Sequence, residues 1–206
     1  MRSKIVLIRH GITPGNLQRF YYGATDIPLA YEGIVKLKKL KKEGVYPDSE
    51  TAEYYTSGML RAEQTFEILY GDKPHEKLNY FRELNFGDFE MKAYEELESR
   101  PEYRDWCNTV MEGTPPPNGE SILDFSKRVT EGFKDLRNRH GLLELKLRNQ
   151  GKEAMSIVVC HGGVICALLN SFWPEKHDNF YRWIPDPGHG YVLTLEDGDV
   201  TDAEKF

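Results

Sequence analysis

The sequence predicts an α/β fold: a three-layer α/β/α sandwich around a mainly parallel central sheet. Two stretches, Lys4-Ile5-Val6-Leu7-Ile8-Arg9-His10-Gly11 and Ile157-Val158-Val159-Cys160-His161-Gly162-Gly163, are apolar and β-branched and end in histidine and glycine. That is the pattern of strands buried on both faces of a parallel sheet. Strand-like and helix-like segments alternate as β, α, β, α, β, α, β, α, the order of an α/β domain.

The elements follow in chain order. After Gly11, the segment Ile12-Thr13-Pro14-Gly15-Asn16 is a polar turn. Thr13 and Asn16 could contact a ligand or cap the next helical turn, a role both residue types favour. Phe20 to Leu29 is an ordered loop whose aromatics wall a pocket or anchor the loop. A lysine-rich helix over 30–43 carries Ile34, Leu37 and Leu40 on one face and stops near Gly44. A second strand over 53–57 leads into a helix that holds Arg61 near its start and runs to Tyr70. A cation is mildly disfavoured at a helix N-terminus, whereas anions bind there, so Arg61 points to a ligand unless Glu63 neutralises it on the surface. A third short strand is expected over 77–81. Residues 93–111 form a charged helical insertion interrupted at Pro101, and 114–119 a rigid proline-rich loop. Ser121 opens a long amphipathic helix to about Asn149, with a break possible at Gly141. The second histidine-ending strand, a helix over 164–172 and edge strands at 191–195 and at the C-terminal end complete the chain.

The 206 residues, 39% hydrophobic and 29% charged, fit one folded domain spanning 1–206, with a helical insertion at about 91–120. A net charge of -6 argues against nucleic-acid or anionic-membrane partners. No run is long enough to span a bilayer, and no signal peptide stands between Met1 and the first strand. The odd set Cys107, Cys160 and Cys166 fits reduced thiols, and a cytoplasmic location is expected. Cys160 is assigned to the core, because strand neighbours point to opposite faces and His161 takes the other one. Oligomeric state is left open.

Ligands of open α/β sheets sit at the carboxyl ends of strands, where both histidines fall. Arg9, His10, Arg61, Glu83 and His161 are expected to converge there. Guanidiniums match phosphate oxygens. A neutral imidazole can attack phosphorus, a protonated second imidazole would add a donor, and a carboxylic acid would protonate the leaving alcohol. The segment 82–90 holds two candidate acids, Glu83 and Glu90. Neither a Walker A sequence nor a closely spaced metal-ligand set is present, so no cofactor and no metal are expected.

The motifs Arg9-His10-Gly11-x-Thr13-x-x-Asn16, Gly23-x-x-Asp26-x-Pro28-Leu29, Ser57-x-x-x-Arg61-Ala62-x-x-Thr65, Glu83-x-x-x-Gly87, Gly119-Glu120-Ser121 and His161-Gly162-Gly163 together resemble the histidine phosphatase superfamily, of phosphoglycerate mutase-like fold. The resemblance covers nearly the whole chain. It implies that His10 is the nucleophile, that Arg9, Arg61 and His161 hold the phosphoryl group, and that Glu83 is the proton donor. Asn16, the Gly162 backbone, Thr13 and Gly23 are implied to bind phosphate or substrate. Two positions depart from the pattern: Ile12, where many members are polar or acidic, and Met91, where phosphatases often carry glycine. The reading is a phosphatase of a small phosphorylated metabolite, and the loop motifs resemble α-ribazole phosphatases. A cofactor-dependent phosphoglycerate mutase and a non-catalytic phosphate-binding scaffold are the alternatives.

Overall fold

A computed structural model describes residues 2–176 and 179–206. Its sheet has six strands in the order β3-β2-β4-β1-β5-β6. These are β1 (Arg2–Arg9), β2 (Glu53–Thr56), β3 (Glu76–Lys77), β4 (Met155–Cys160), β5 (Gly190–Glu196) and β6 (Asp199–Lys205). The β1–β4, β2–β4 and β2–β3 pairs are parallel, and β5 and β6 add antiparallel at one edge. The expected α/β sandwich on a mainly parallel sheet is therefore present.

The period-2 alternation of β1 sets the layers. Ile5 and Leu7 face a core shared with α6 (Ile122–Leu147) and α7 (Gly162–Phe172), through Phe125, Val129, Phe133, Val164 and Leu168. Val6 and Ile8 face the opposite core, with Leu37 of α2 (Tyr31–Lys42) and Phe66 and Leu69 of α3 (Leu60–Tyr70). Every residue of β4 is buried, as expected of a central parallel strand. Cys160 packs in the α6–α7 core, and burial pushes its thiol well above the usual range, so no thiolate is available there.

The insertion consists of two short helices, α4 (Tyr94–Leu97) and α5 (Pro101–Thr109), divided where Pro101 begins the second. Phe89, Leu97, Tyr103 and Trp106 form its own small core, against which Tyr21 and Phe86 pack.

Three expectations need correction. The third strand is only two residues long, and Asn79–Phe81 is a 3₁₀ turn. Its apolar residues Leu78 and Phe81 are buried by α6 packing rather than by strand pairing. The long helix runs through Gly141 without a break, because Leu143 and Leu147 beyond it are buried in a small cluster with Ala154. The last helix starts at Gly162, not at 164, with His161 as its N-cap residue. Among the described residues, no helix is long and apolar enough to cross a membrane.

Candidate active site

Three neighbouring parallel strands deliver the site. In the β1–β4 pairing Arg9 lies opposite Cys160, so the next residue of each strand is a histidine at the same sheet edge. The His10 amide donates to the Cys160 carbonyl at 3.0 Å, and the two imidazole centroids are 5.2 Å apart. From β2, the Ser57 amide donates to the Val159 carbonyl at 3.1 Å, and α3 follows with Arg61 in its first turn. A cavity of about 240 Å³ opens at this edge. Arg9, His10, Asn16, Arg61 and Glu83 line it, together with Phe20, Tyr21, Tyr22, Phe86, Phe125, Phe180 and Tyr181.

His10 is buried, and its Nδ1 lies 2.7 Å from the Gly11 carbonyl oxygen. A carbonyl can only accept, so Nδ1 carries the proton and the lone pair belongs to Nε2. Burial first, then the positive charges of Arg61 and Arg9, hold the His10 pKa well below the ordinary imidazole value. His10 is therefore a neutral imidazole at neutral pH, protonated on Nδ1 and bare on Nε2. His161 too is neutral, since burial, Arg61 and His10 also push its pKa well down. Burial and the neighbouring positive charges thus disfavour the protonated second imidazole that the sequence reading expects.

Both arginines are anchored by backbone carbonyls. Arg61 is fully buried and donates from Nη2 to Gly23 O at 2.8 Å and from Nη1 to Thr25 O at 3.0 Å. Arg9 donates from Nη1 to Pro185 O at 2.7 Å. Gly162 leaves room for Arg9. A Cβ there would stand 3.2 Å from Arg9 Nε and 2.8 Å from an Ile184 carbon. Glu63 does not neutralise Arg61. It turns away to Thr56, His75 and Lys77. Among the described residues, the buried nitrogens without a protein hydrogen-bond partner include Arg9 Nε, Arg61 Nε and His161 Nδ1 at this site, and Trp106 Nε1 in the core of the insertion. Buried donors are nearly always paired, so three together around His10 are the mark of an anion site.

Glu83 reaches the cavity across the N-terminus of α7. Its Oε2 accepts from the Gly163 amide at 2.9 Å and its Oε1 from the Leu84 amide at 3.0 Å. A side chain on Gly163 would collide with this carboxylate. Glu90 has a different task. Its carboxylate accepts from the amides of Gly23, Ala24, Thr25 and Phe86 and from the Thr25 hydroxyl. It thereby orders the loop whose carbonyls hold Arg61, and it does not line the cavity.

The remaining sequence-derived residues divide. Asn16 lines the cavity with its Oδ1 tied to the Thr13 amide at 3.0 Å, which leaves Nδ2 to the site. Thr13 and Asn16 form a capping box on the short helix α1 (Pro14–Leu17), and the Thr13 hydroxyl donates to Tyr22 at 2.6 Å. The capping and ligand readings thus both describe Asn16, whereas Thr13 is a cap. The Gly23 amide is occupied by Glu90 and its carbonyl by Arg61, and Gly162 packs behind Arg9. Ile12 lies outside the cavity, its carbonyl bonded to Ala30. Met91 adopts φ 59°, the left-handed conformation that glycine favours. Sequence reasoning gave no role to Ser57, Phe180 or Tyr181. Among the described residues, no group of three or more His, Cys, Asp or Glu side chains is placed to hold a metal ion.

The chain is similar to known proteins over most of its length. Residues 5–203 match the family model of the histidine phosphatase superfamily (branch 1). The adenosylcobalamin/α-ribazole phosphatase of Salmonella typhimurium is 31% identical over 208 residues, 96% of this chain and 93% of that protein. The crystal structure of the α-ribazole phosphatase from Shigella flexneri superposes with a TM-score of 0.74 at 25% identity, covering 96% of this chain and 93% of that one. A phosphoglycerate mutase structure from Thermus thermophilus gives 0.64 at 29% identity, covering 92% of each chain.

The buried histidines make stability depend on pH. His10, His161 and His140 all have lowered pKa values, mainly through burial. Below about 6.5, the ordinary imidazole value, the unfolded chain binds protons that the folded chain refuses. Stability therefore rises with pH in this window, by up to about 1.4 kcal/mol per pH unit for each histidine. Urea unfolding should show lower stability at pH 5.5 than at pH 7. A flat or opposite trend would contradict the assignment of neutral histidines.

Proposed function

The chain belongs to the histidine phosphatase superfamily and is a phosphatase; we propose that it hydrolyses a small phosphomonoester whose leaving alcohol carries an aromatic ring system, with α-ribazole 5'-phosphate the leading candidate, through a phosphohistidine on His10. The observation that carries this reading is the set of three partnerless buried donors around a histidine whose Nε2 is unprotonated. A phosphoryl dianion would satisfy all three at once, and the charge of Arg9 and Arg61 would stabilise the transition state.

The steps balance without a cofactor. His10 Nε2 attacks phosphorus while the P–O ester bond breaks. Glu83 gives its proton to the leaving oxygen. A water molecule then loses a proton to the Glu83 carboxylate and attacks phosphorus, the P–N bond breaks, and inorganic phosphate leaves. Arg9 and Arg61 provide the positive charge that a metal ion would otherwise supply, so the reading is metal-independent. It also takes the enzyme to be cytoplasmic, which its three free cysteines support, and to have no nucleic-acid partner, which its net charge of -6 supports.

Substrate class rests on the cavity walls. Aromatic rings make up much of the lining, and among the described lining residues Arg9 and Arg61 are the cations. Both belong to the phosphoryl site. A phosphoglycerate would bring a carboxylate with no third cation among the described lining residues to receive it. An α-ribazole brings a flat ring system that stacks on aromatic side chains.

Rapid acid-free quenching of wild-type enzyme with a phosphomonoester should trap a phosphohistidine on His10, and His10→Ala should abolish turnover while keeping the fold. Normal turnover by that variant would sink the reading. For Glu83→Gln, the burst rate should fall ~10²–10⁴-fold with an alkyl phosphate. It should fall far less with nitrophenyl phosphate, whose leaving group needs no proton. Equal slowing of both substrates in the burst would remove Glu83 from the acid role.

A further inference from the structure

His161 has one nitrogen hydrogen-bonded to Ser57 and one buried nitrogen without a hydrogen-bond partner. The serine follows β2 directly, and its Oγ lies 2.8 Å from His161 Nε2. Both residues are fully buried, so water does not compete for this bond. The other side-chain partner of Ser57 is the Met59 amide, which donates to Oγ at 3.4 Å. An amide can give a proton but not take one. The hydroxyl proton of Ser57 thus has a single acceptor among the described residues, His161 Nε2.

That direction fixes the ring. With Nε2 accepting, the one proton of a neutral imidazole sits on Nδ1, and Nδ1 is the buried nitrogen that has no protein partner. The reverse tautomer would leave the Ser57 proton buried without an acceptor. It would also turn an Nδ1 lone pair toward an incoming phosphoryl oxygen, a repulsive contact. A neutral Nδ1–H donor suits a site already holding two guanidiniums, because it adds a hydrogen bond without a third buried positive charge.

We propose that Ser57 is a positioning residue that sets the tautomer of His161, so that Nδ1–H is presented as a neutral donor to the transferring phosphoryl group. The second half of the proposal rests on the phosphatase reading; the tautomer itself does not.

The test is two-bond ¹H–¹⁵N correlation on the full chain labelled with ¹⁵N-histidine, near pH 7.5 and without substrate, His161 being assigned with His161→Gln. In the wild type His161 should show a protonated, pyrrole-like Nδ1 and a bare, pyridine-like Nε2. Ser57→Ala should lose that pattern and lower kcat/KM roughly tenfold to a hundredfold, the usual scale for a residue that orients a functional histidine. Ser57→Thr, which keeps the hydroxyl, should restore both. An Nε2–H tautomer or an imidazolium in the wild type would overturn the proposal, and this measurement needs no variant of Ser57 to fold. An unchanged tautomer in Ser57→Ala would overturn the role of the serine. A lost tautomer with full activity would overturn the donor role of Nδ1. Failure to hydrolyse any phosphomonoester would count against the phosphatase reading, while the spectrum would still decide the tautomer.

Discussion

The parallel pairing of β1 with β4 ends with Arg9 opposite Cys160, and the arrangement of the cavity depends on where that pairing stops. A shift of one residue would turn the buried side chains of β1 to the wrong faces and would separate His10 from His161. The register is strongly specified because both faces of both strands are packed, by α6 and α7 on one side and by α2 and α3 on the other. Core packing in this fold is therefore also the device that brings two imidazoles to 5.2 Å.

Burial then sets the chemistry. Enclosing two histidines with two guanidiniums makes the protonated imidazole the unfavourable form of each, which leaves His10 as a base with its lone pair on Nε2. Backbone carbonyls fix the arginines but leave both Nε–H groups unpaired. A buried donor without a partner costs about 1–3 kcal/mol. An oxyanion bound here would pair these groups, and the gain would be greatest where negative charge is greatest. Glu90 supports this from a distance, since its carboxylate orders the loop that supplies two of those carbonyls.

Much of this was legible in the sequence because it is written in local patterns. Apolar runs ending in histidine and glycine marked the two central strands and the edge at which ligands bind. Family-like spacing separated Glu83 from Glu90, and the cavity lining follows the same division. What escaped depends on long-range backbone placement. The run through Leu78 and Phe81 is as apolar as a strand, yet α6 buries it as a 3₁₀ turn. Gly141 carries no signal of whether Leu143 and Leu147 find a partner beyond it. The charge state of His161 could not be inferred from residue type, because it follows from enclosure beside Arg61 and His10. Ser57 matters through one hydroxyl proton, whose direction is set by what else lies within reach.

These features converge on one claim, that His10 Nε2 and the three unpaired donors together define the position of a phosphoryl group in transfer. A crystal structure with orthovanadate, which adopts the five-coordinate geometry of that transfer, tests it most directly. Vanadium should be bonded to His10 Nε2, with its equatorial oxygens accepting from Arg9 Nε, Arg61 Nε and His161 Nδ1. Vanadate bound away from His10, or held there while those three nitrogens stay unpaired, would contradict it.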